Sequence, residues 1–186
     1  MKKAIDRRTA RTRKSLSDAL VALILRKSYD SITVQDVIDE ANVGRSTFYM
    51  HYTGKEDLLR AGFDELRVNL ASAATRREGS EDAMLPFSLA MFEHACEHKQ
   101  VYRALVGGRG GVVAGRQMRL VLSDLVRQEL AASGDDTVPG EIRVQFVVDT
   151  FLAVLSWSIG RKPALPPERM NRIFRRLVLH GVGQKA

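Results

Sequence analysis

Apolar residues recur along this chain at intervals of three and four, with no sustained two-residue alternation, and that period marks helices rather than strands. Leu16, Leu20, Leu23 and Ile24 give one buried face to a helix predicted from about Thr9 to Lys27, which SYDS (28–31) interrupts. Thr33 followed by Asp36 has the spacing of a capping box and predicts a short helix to about Ala41, with Val34, Val37 and Ile38 facing inward. Asn42-Val43-Gly44 reads as a tight turn, because Asn and Gly best tolerate left-handed backbone. A third short helix is expected over about Arg45 to Tyr52. Thr53 with Glu56 reads as a second capping box, opening a longer helix over about 55–75.

Beyond residue 80 the pattern becomes greasier. It predicts helices at about 81–97, 99–106, 115–132, 140–160 and 167–180, separated by GGRGGVVAG (107–115), ASGDDTVPG (132–140) and RKPALPP (161–167). The fold class is therefore all-α, with about nine helices. A three-helix head (1–54) is joined by a connecting helix to a C-terminal helical bundle (55–186). Hydrophobic content of 45% in 186 residues is enough for a real core.

Within the head, VGRSTFYMHYTGKEDLL (43–59) has a composition that a core alone does not require. Two short helices joined by a tight turn and braced by a third form a helix-turn-helix, whose second short helix enters the DNA major groove. Val43 and Phe48 anchor that helix, leaving Arg45, Ser46, Thr47, Tyr49 and Met50 outward to meet bases or phosphates. His51, Tyr52 and Lys55 fall where a helix start favours a phosphate oxygen, and Thr33 stands at another helix start. The competing reading is plain: short αα-turns also occur in helical proteins that never touch DNA, and each of these residues taken singly suits an ordinary surface or core.

Charge strengthens the DNA reading. Of the formal net charge of +7, residues 1–14 carry most: Lys2, Lys3, Arg7, Arg8, Arg11, Arg13 and Lys14 stand against Asp6. Such an arm is an electrostatic footprint for nucleic acid. It also serves as a solubilising tail, or as the start of an export signal with LSDALVALIL (16–25) as its apolar part. Asp18 interrupts that stretch and no small-residue cleavage site follows, so export is not expected. No uninterrupted apolar run approaches 18 residues, so no membrane association is expected. A single cysteine, Cys96, excludes an intramolecular disulfide and fits a reducing cytoplasm.

The string Thr33-Val34-Gln35-Asp36-Val37-Ile38, then Ala41 through Tyr52, then Lys55-Glu56-Asp57-Leu58-Leu59, resembles the N-terminal DNA-binding domain of the TetR/AcrR family of bacterial transcriptional regulators. The resemblance covers about residues 9–60. It implies that Tyr49, His51, Lys55 and Thr33 hold phosphates, while Arg45, Ser46, Thr47 and Met50 form the variable base-reading surface. Asn42 stands where the family pattern prefers Gly, and Gly44 where it often has a hydroxyl cap.

The resemblance further implies a body that binds a small-molecule effector and forms a homodimer through its last two helices. Candidate pocket residues are Met84, Phe87, Met91, Phe92, Tyr102, Met118, Leu122, Asp149 and Phe151, since methionines and aromatics suit adaptable apolar sites and also ordinary cores. Asp149, amid Val147, Val148, Thr150 and Phe151, needs a partner if buried, more simply an arginine of the protein than a ligand. Candidate interface residues are Phe146, Ala153, Ser156, Trp157, Gly160, Met170, Ile173, Phe174 and Leu177; packing within the monomer is the alternative.

His94 and His98 have metal-ligand spacing, but Cys96 lies two residues from each and points to the other face, so no metal site is expected. No Gly-x-Ser-x-Gly elbow and no dinucleotide or P-loop fingerprint occurs, so neither an enzyme nor a cofactor is expected. The expectation is a cytoplasmic, effector-responsive dimeric regulator that binds double-stranded DNA, most simply as a repressor. The rivals are an activator of the same fold and a DNA-binding protein without sequence preference.

Overall fold

The computed structural model describes residues 2–75, 85–106, 111–131 and 138–181. Among these lie nine α-helices, a single 3-10 turn and no strand. The order is α1 (Lys2–Arg26), the 3-10 turn (Tyr29–Ser31), α2 (Val34–Ala41), α3 (Arg45–Tyr49), α4 (Lys55–Thr75), α5 (Phe87–Glu97), α6 (Lys99–Val106), α7 (Gly111–Leu130), α8 (Gly140–Ile159) and α9 (Pro167–His180). The chain divides into two units: residues 1–64 with 104–117, and residues 65–103 with 118–186.

In the first unit α1 packs on α2, and α2 on α3. The core is the periodic face of α1 (Leu16, Ala19, Leu20, Leu23, Ile24) together with Tyr29, Ile32, Val37, Ile38, Phe48 and Tyr52. It does not stop at residue 54: Leu58, Leu59 and Phe63 are buried too, so the first turns of α4 belong to this unit. Lys27 pairs with Asp36 at 2.8 Å and Arg26 pairs with Glu40, tying the end of α1 to α2.

α1 begins at Lys2, not near Thr9, so the basic arm forms the first turns of a helix. Ala, Arg and Lys are strong helix formers, and nothing in residues 2–8 breaks the helix.

In the second unit α5, α8 and α9 pack on one another. Their centre is aromatic. Phe92 stacks on Phe151 with ring centroids 4.4 Å apart, and Phe174 meets Phe151 and Phe92 edge-on at 5.3 and 6.1 Å. One buried polar contact crosses this core, where Ser88 Oγ lies 2.7 Å from Asn171 Oδ1.

α5 starts at Phe87, after Leu85-Pro86, later than the predicted residue 81; residues 81–84 lie outside the described residues. α7 starts at Gly111 and takes in part of the predicted glycine loop. Burial of Ala114, Met118, Val121, Leu122 and Leu125 along one face outweighs the roughly 1 kcal/mol that a mid-helix glycine costs. By length and composition α8 is apolar enough to cross a bilayer, but much of its apolar surface is the inner face formed by Val144, Val147, Val148, Phe151, Val154, Leu155 and Ile159.

Candidate DNA-binding surface

The surface is built from the two ends of α2 and the whole of α3. At the start of α2 the capping box is complete. Thr33 Oγ1 accepts from the Asp36 backbone N–H at 3.1 Å, while the Thr33 N–H donates to Asp36 Oδ2 at 2.7 Å. The Thr33 hydroxyl also lies 2.7 Å from Asp36 Oδ2, so in the free protein its proton is directed at that carboxylate rather than outward. Hydrogen bonds from Lys27 and Thr33 hold the Asp36 carboxyl well below the usual carboxylate range.

α2 ends at Asn42, whose φ of 51° and ψ of 50° are left-handed, and the Val43 N–H returns to the Ile38 carbonyl at 3.2 Å. Gly44 then caps α3 without a side-chain bond. Its φ of −70° is open to any residue, so the glycine is not required by the backbone.

α3 presents a sharply divided surface. Phe48 is fully buried, with Tyr49 edge-on to it at 5.3 Å. Arg45, Ser46, Tyr49 (48% exposed) and Met50 (73% exposed) face solvent, and Thr47 and His51 are half-buried beside them. Arg45 does not hang free. Its Nη1 donates to Gln35 Oε1 at 3.3 Å, Gln35 Nε2 donates to Asp39 Oδ1 at 2.8 Å, and the guanidinium lies 5.8 Å from the Tyr49 ring centroid. Gln35 thus belongs to this surface although the sequence reading passed over it. The signal was its position two residues after the cap Thr33, on the turn of α2 facing Arg45.

Two expected phosphate ligands are placed differently. Tyr52 is only 8% exposed, packed 6.0 Å from Phe48 ring to ring, because the chain turns inward after α3. Lys55 directs its ammonium back into the protein. Nζ donates to the carbonyls of Tyr29 (3.0 Å), Asp30 (3.2 Å) and Ile32 (2.7 Å) and lies 4.8 Å from the Tyr29 ring centroid. The second capping interaction also changes partner: the Thr53 N–H donates to Asp57 Oδ2 at 3.0 Å, one residue beyond the expected Glu56.

In the second unit the proposed pocket residues mostly fill one another. Phe87, Met91, Phe92, Tyr102, Met118, Leu122 and Phe151 are buried, and Met84 lies outside the described residues. Asp149 is half-exposed and paired with Arg119 of α7, not sunk among the valines around it. A cleft of about 320 Å³ lies elsewhere, lined by Arg127, Leu130, Ala131, Gly140, Glu141, Arg143 and Val144.

Of the interface candidates, Phe146, Ala153, Ser156, Trp157 and Gly160 are exposed on α8, and Ile173 and Leu177 are half-buried on α9. Met170 and Phe174 are not available to a partner: one turn apart on α9, they turn into the aromatic core.

His94 Nδ1 bonds the buried Tyr102 hydroxyl at 2.9 Å, and burial, then the neighbouring His98, push its pKa below the usual imidazole value. Cys96 borders a void of about 20 Å³, and burial raises its thiol pKa, which suppresses the reactive thiolate.

Comparison with known proteins agrees with this geometry. Residues 16–61 match the family described as "Bacterial regulatory proteins, tetR family". Over 59 residues the chain is 44% identical to the uncharacterized HTH-type transcriptional regulator YxbF of Bacillus subtilis (strain 168). That match spans 31% of this chain but only 16% of the relative. The crystal structure of a TetR transcriptional regulator from Streptococcus agalactiae 2603V superposes with a TM-score of 0.70 at 25% identity, covering 96% of this chain and 99% of that one. Thermus thermophilus FadR, a TetR-family transcriptional repressor in complex with lauroyl-CoA, superposes at 0.65 with 19% identity, covering 94% and 97%. The helix-turn-helix segment thus matches the TetR family over residues 16–61, and the chain as a whole shares the fold of a solved TetR transcriptional regulator.

Proposed function

We propose that this protein is a dimeric, effector-responsive transcriptional regulator, acting as a repressor on a near-palindromic operator. The observation that carries this reading is the exposed face of α3, with Arg45 oriented by Gln35 and Tyr49 beside Ser46 and Met50. A guanidinium held in place suits bidentate contact with a guanine edge, and an exposed methionine suits a thymine methyl. Tyr49, His51 and the α2 start at Thr33 lie around it for phosphates, with Arg7, Arg8, Arg11 and Arg13 exposed on α1.

Dimerisation is supported by the α8 stripe, where Phe146 and Trp157 stay half-exposed in line with Ala153, Ser156 and Gly160. A two-fold dimer places two α3 helices on two half-sites, hence the near-palindrome. The body, residues 55–186, would bind the effector and dimerise. α4 runs from the first unit into the second and is the natural element to carry an effector signal to the head. An effector that binds better when the heads are mis-spaced draws the population off DNA.

Thermus thermophilus FadR, similar in fold, holds lauroyl-CoA; in this chain the cleft lined by Arg127, Leu130, Glu141, Arg143 and Val144 offers a small molecule both charged and apolar contacts. The protein works in the cytoplasm, without a cofactor or catalytic role. The exposed arginines of α1 favour the second reading, binding without sequence preference, and an activator would share every feature above.

The experiment is a titration on DNA upstream of the protein's own gene against scrambled DNA at one salt concentration. A preference of about 10³-fold or more on an inverted repeat supports the regulator. Equal affinity for both, fading steeply with salt, supports non-specific binding.

A further inference from the structure

Lys55 occupies the first position of α4, where the helix dipole disfavours a cation. Its surroundings explain why it is tolerated. An ammonium has three protons, and here three carbonyls converge on it, those of Tyr29, Asp30 and Ile32, at 2.7 to 3.2 Å. The face of the buried Tyr29 ring completes the seat. These carbonyls belong to the 3-10 turn and the residue after it, immediately before Thr33, the cap of α2. Turning the ammonium outward would leave them without this partner, two of them in partly buried positions.

We propose that Lys55 is a positioning residue of the DNA-reading head and not a phosphate ligand. It pins the 29–32 turn to the start of α4 and so fixes where α2, and α3 packed on it, stand against DNA. This rests on the DNA-binding reading. The geometry is specific to lysine: an arginine keeps the charge and reaches further, but its planar fork cannot aim three donors at three convergent carbonyls.

The test uses full-length protein, Lys55→Met and Lys55→Arg, with a duplex that the wild type selects from a random pool. Affinity is measured across salt concentrations, and amide exchange at Ser31 and Ile32 is measured without DNA. Positioning predicts that both variants bind about tenfold or more weakly with the wild-type salt dependence, and that both exchange faster at the two amides. A phosphate contact predicts that Lys55→Met lowers the salt slope by about 0.9 for each protomer bound, about 1.8 for a dimer, while Lys55→Arg restores affinity, and that result overturns the proposal. Wild-type affinity in both variants overturns it as well. Should Lys55→Met fail to fold, Lys55→Arg decides alone: weakened binding at unchanged slope supports the anchor, and wild-type binding contradicts it. A wild type that selects no duplex defeats the DNA reading and this proposal's DNA half. Amide exchange then reports separately on the anchor, and unchanged exchange removes that too.

Discussion

In the head, α2 and α3 are eight and five residues long, while in the body α7 and α8 each run for twenty. Helices as short as the first pair do not persist alone. α2 stands because polar devices fix its ends, the Thr33–Asp36 box, the left-handed Asn42, the Lys27–Asp36 pair and the Lys55 anchor, while α3, capped without a side-chain bond, is held by its buried Phe48. The body relies instead on buried aromatic rings, with Ser88 and Asn171 as a polar contact within that core. The difference separates two kinds of information. Polar end-devices can be altered while much of the core survives, which leaves the head's outward face free for recognition. An aromatic core has no such modularity.

Substitutions should bring that contrast out. The largest effect belongs to the body. Phe151→Ala removes the ring shared by Phe87, Phe92 and Phe174 and should cost about 3–5 kcal/mol, read as a thermal-midpoint drop on the order of 10 °C. A drop of only a degree or two would mean that the cluster is not the body's support. In the head, Thr33→Ala opens the capping box and should cost about 1 kcal/mol in denaturant titrations, with the fold retained.

A shallower effect comes from pH. His94 is held neutral by burial, so its folded-state pKa lies below the ordinary value of 6.5. The unfolded chain then binds the extra proton first. Stability contributed by the neutral ring is present above about pH 6.5 and is lost as pH falls below it. Thermal midpoints should decline from pH 7 to 5, and His94→Gln should flatten that decline; an unchanged slope in the variant would assign it elsewhere. The smallest effect is Gly44→Ser. The open φ and a Cβ at ordinary contact distance, 3.7 Å from Thr47 Oγ1, predict a gain of a few tenths of a kcal/mol from a new cap, and a loss would reveal strain in the turn.

The same contrast explains what was legible in the sequence. The head's turns and caps are local: Thr33 three residues before Asp36, or Asn42 between two apolar runs, states its geometry within a few positions. Even there the partner can slip, as Thr53 chose Asp57 over Glu56, because both acids lie within one turn. What short-range pattern could not supply was the long-range partner of a side chain. Lys55 bonds carbonyls 23 to 26 residues away, which no local pattern announces. In the body the apolar period gave the helices but not their facing. Met170 and Phe174 share a helix with Ile173 and Leu177, and only packing against α5 and α8 decides which pair is buried.

Sequence-specific binding requires that Arg45, Ser46, Tyr49 and Met50 form a reading surface rather than merely an exposed one. The direct measurement is the affinity ratio for the protein's preferred duplex over scrambled DNA, in the wild type and in Arg45→Ala at the same salt. The wild type should show a high ratio, and the variant a fall of about 1–3 kcal/mol in discrimination for each half-site, confined to one position in each, with stability unchanged. Loss of affinity equally on both DNAs, leaving the ratio intact, would contradict that reading and return Arg45 to the general electrostatics of the head.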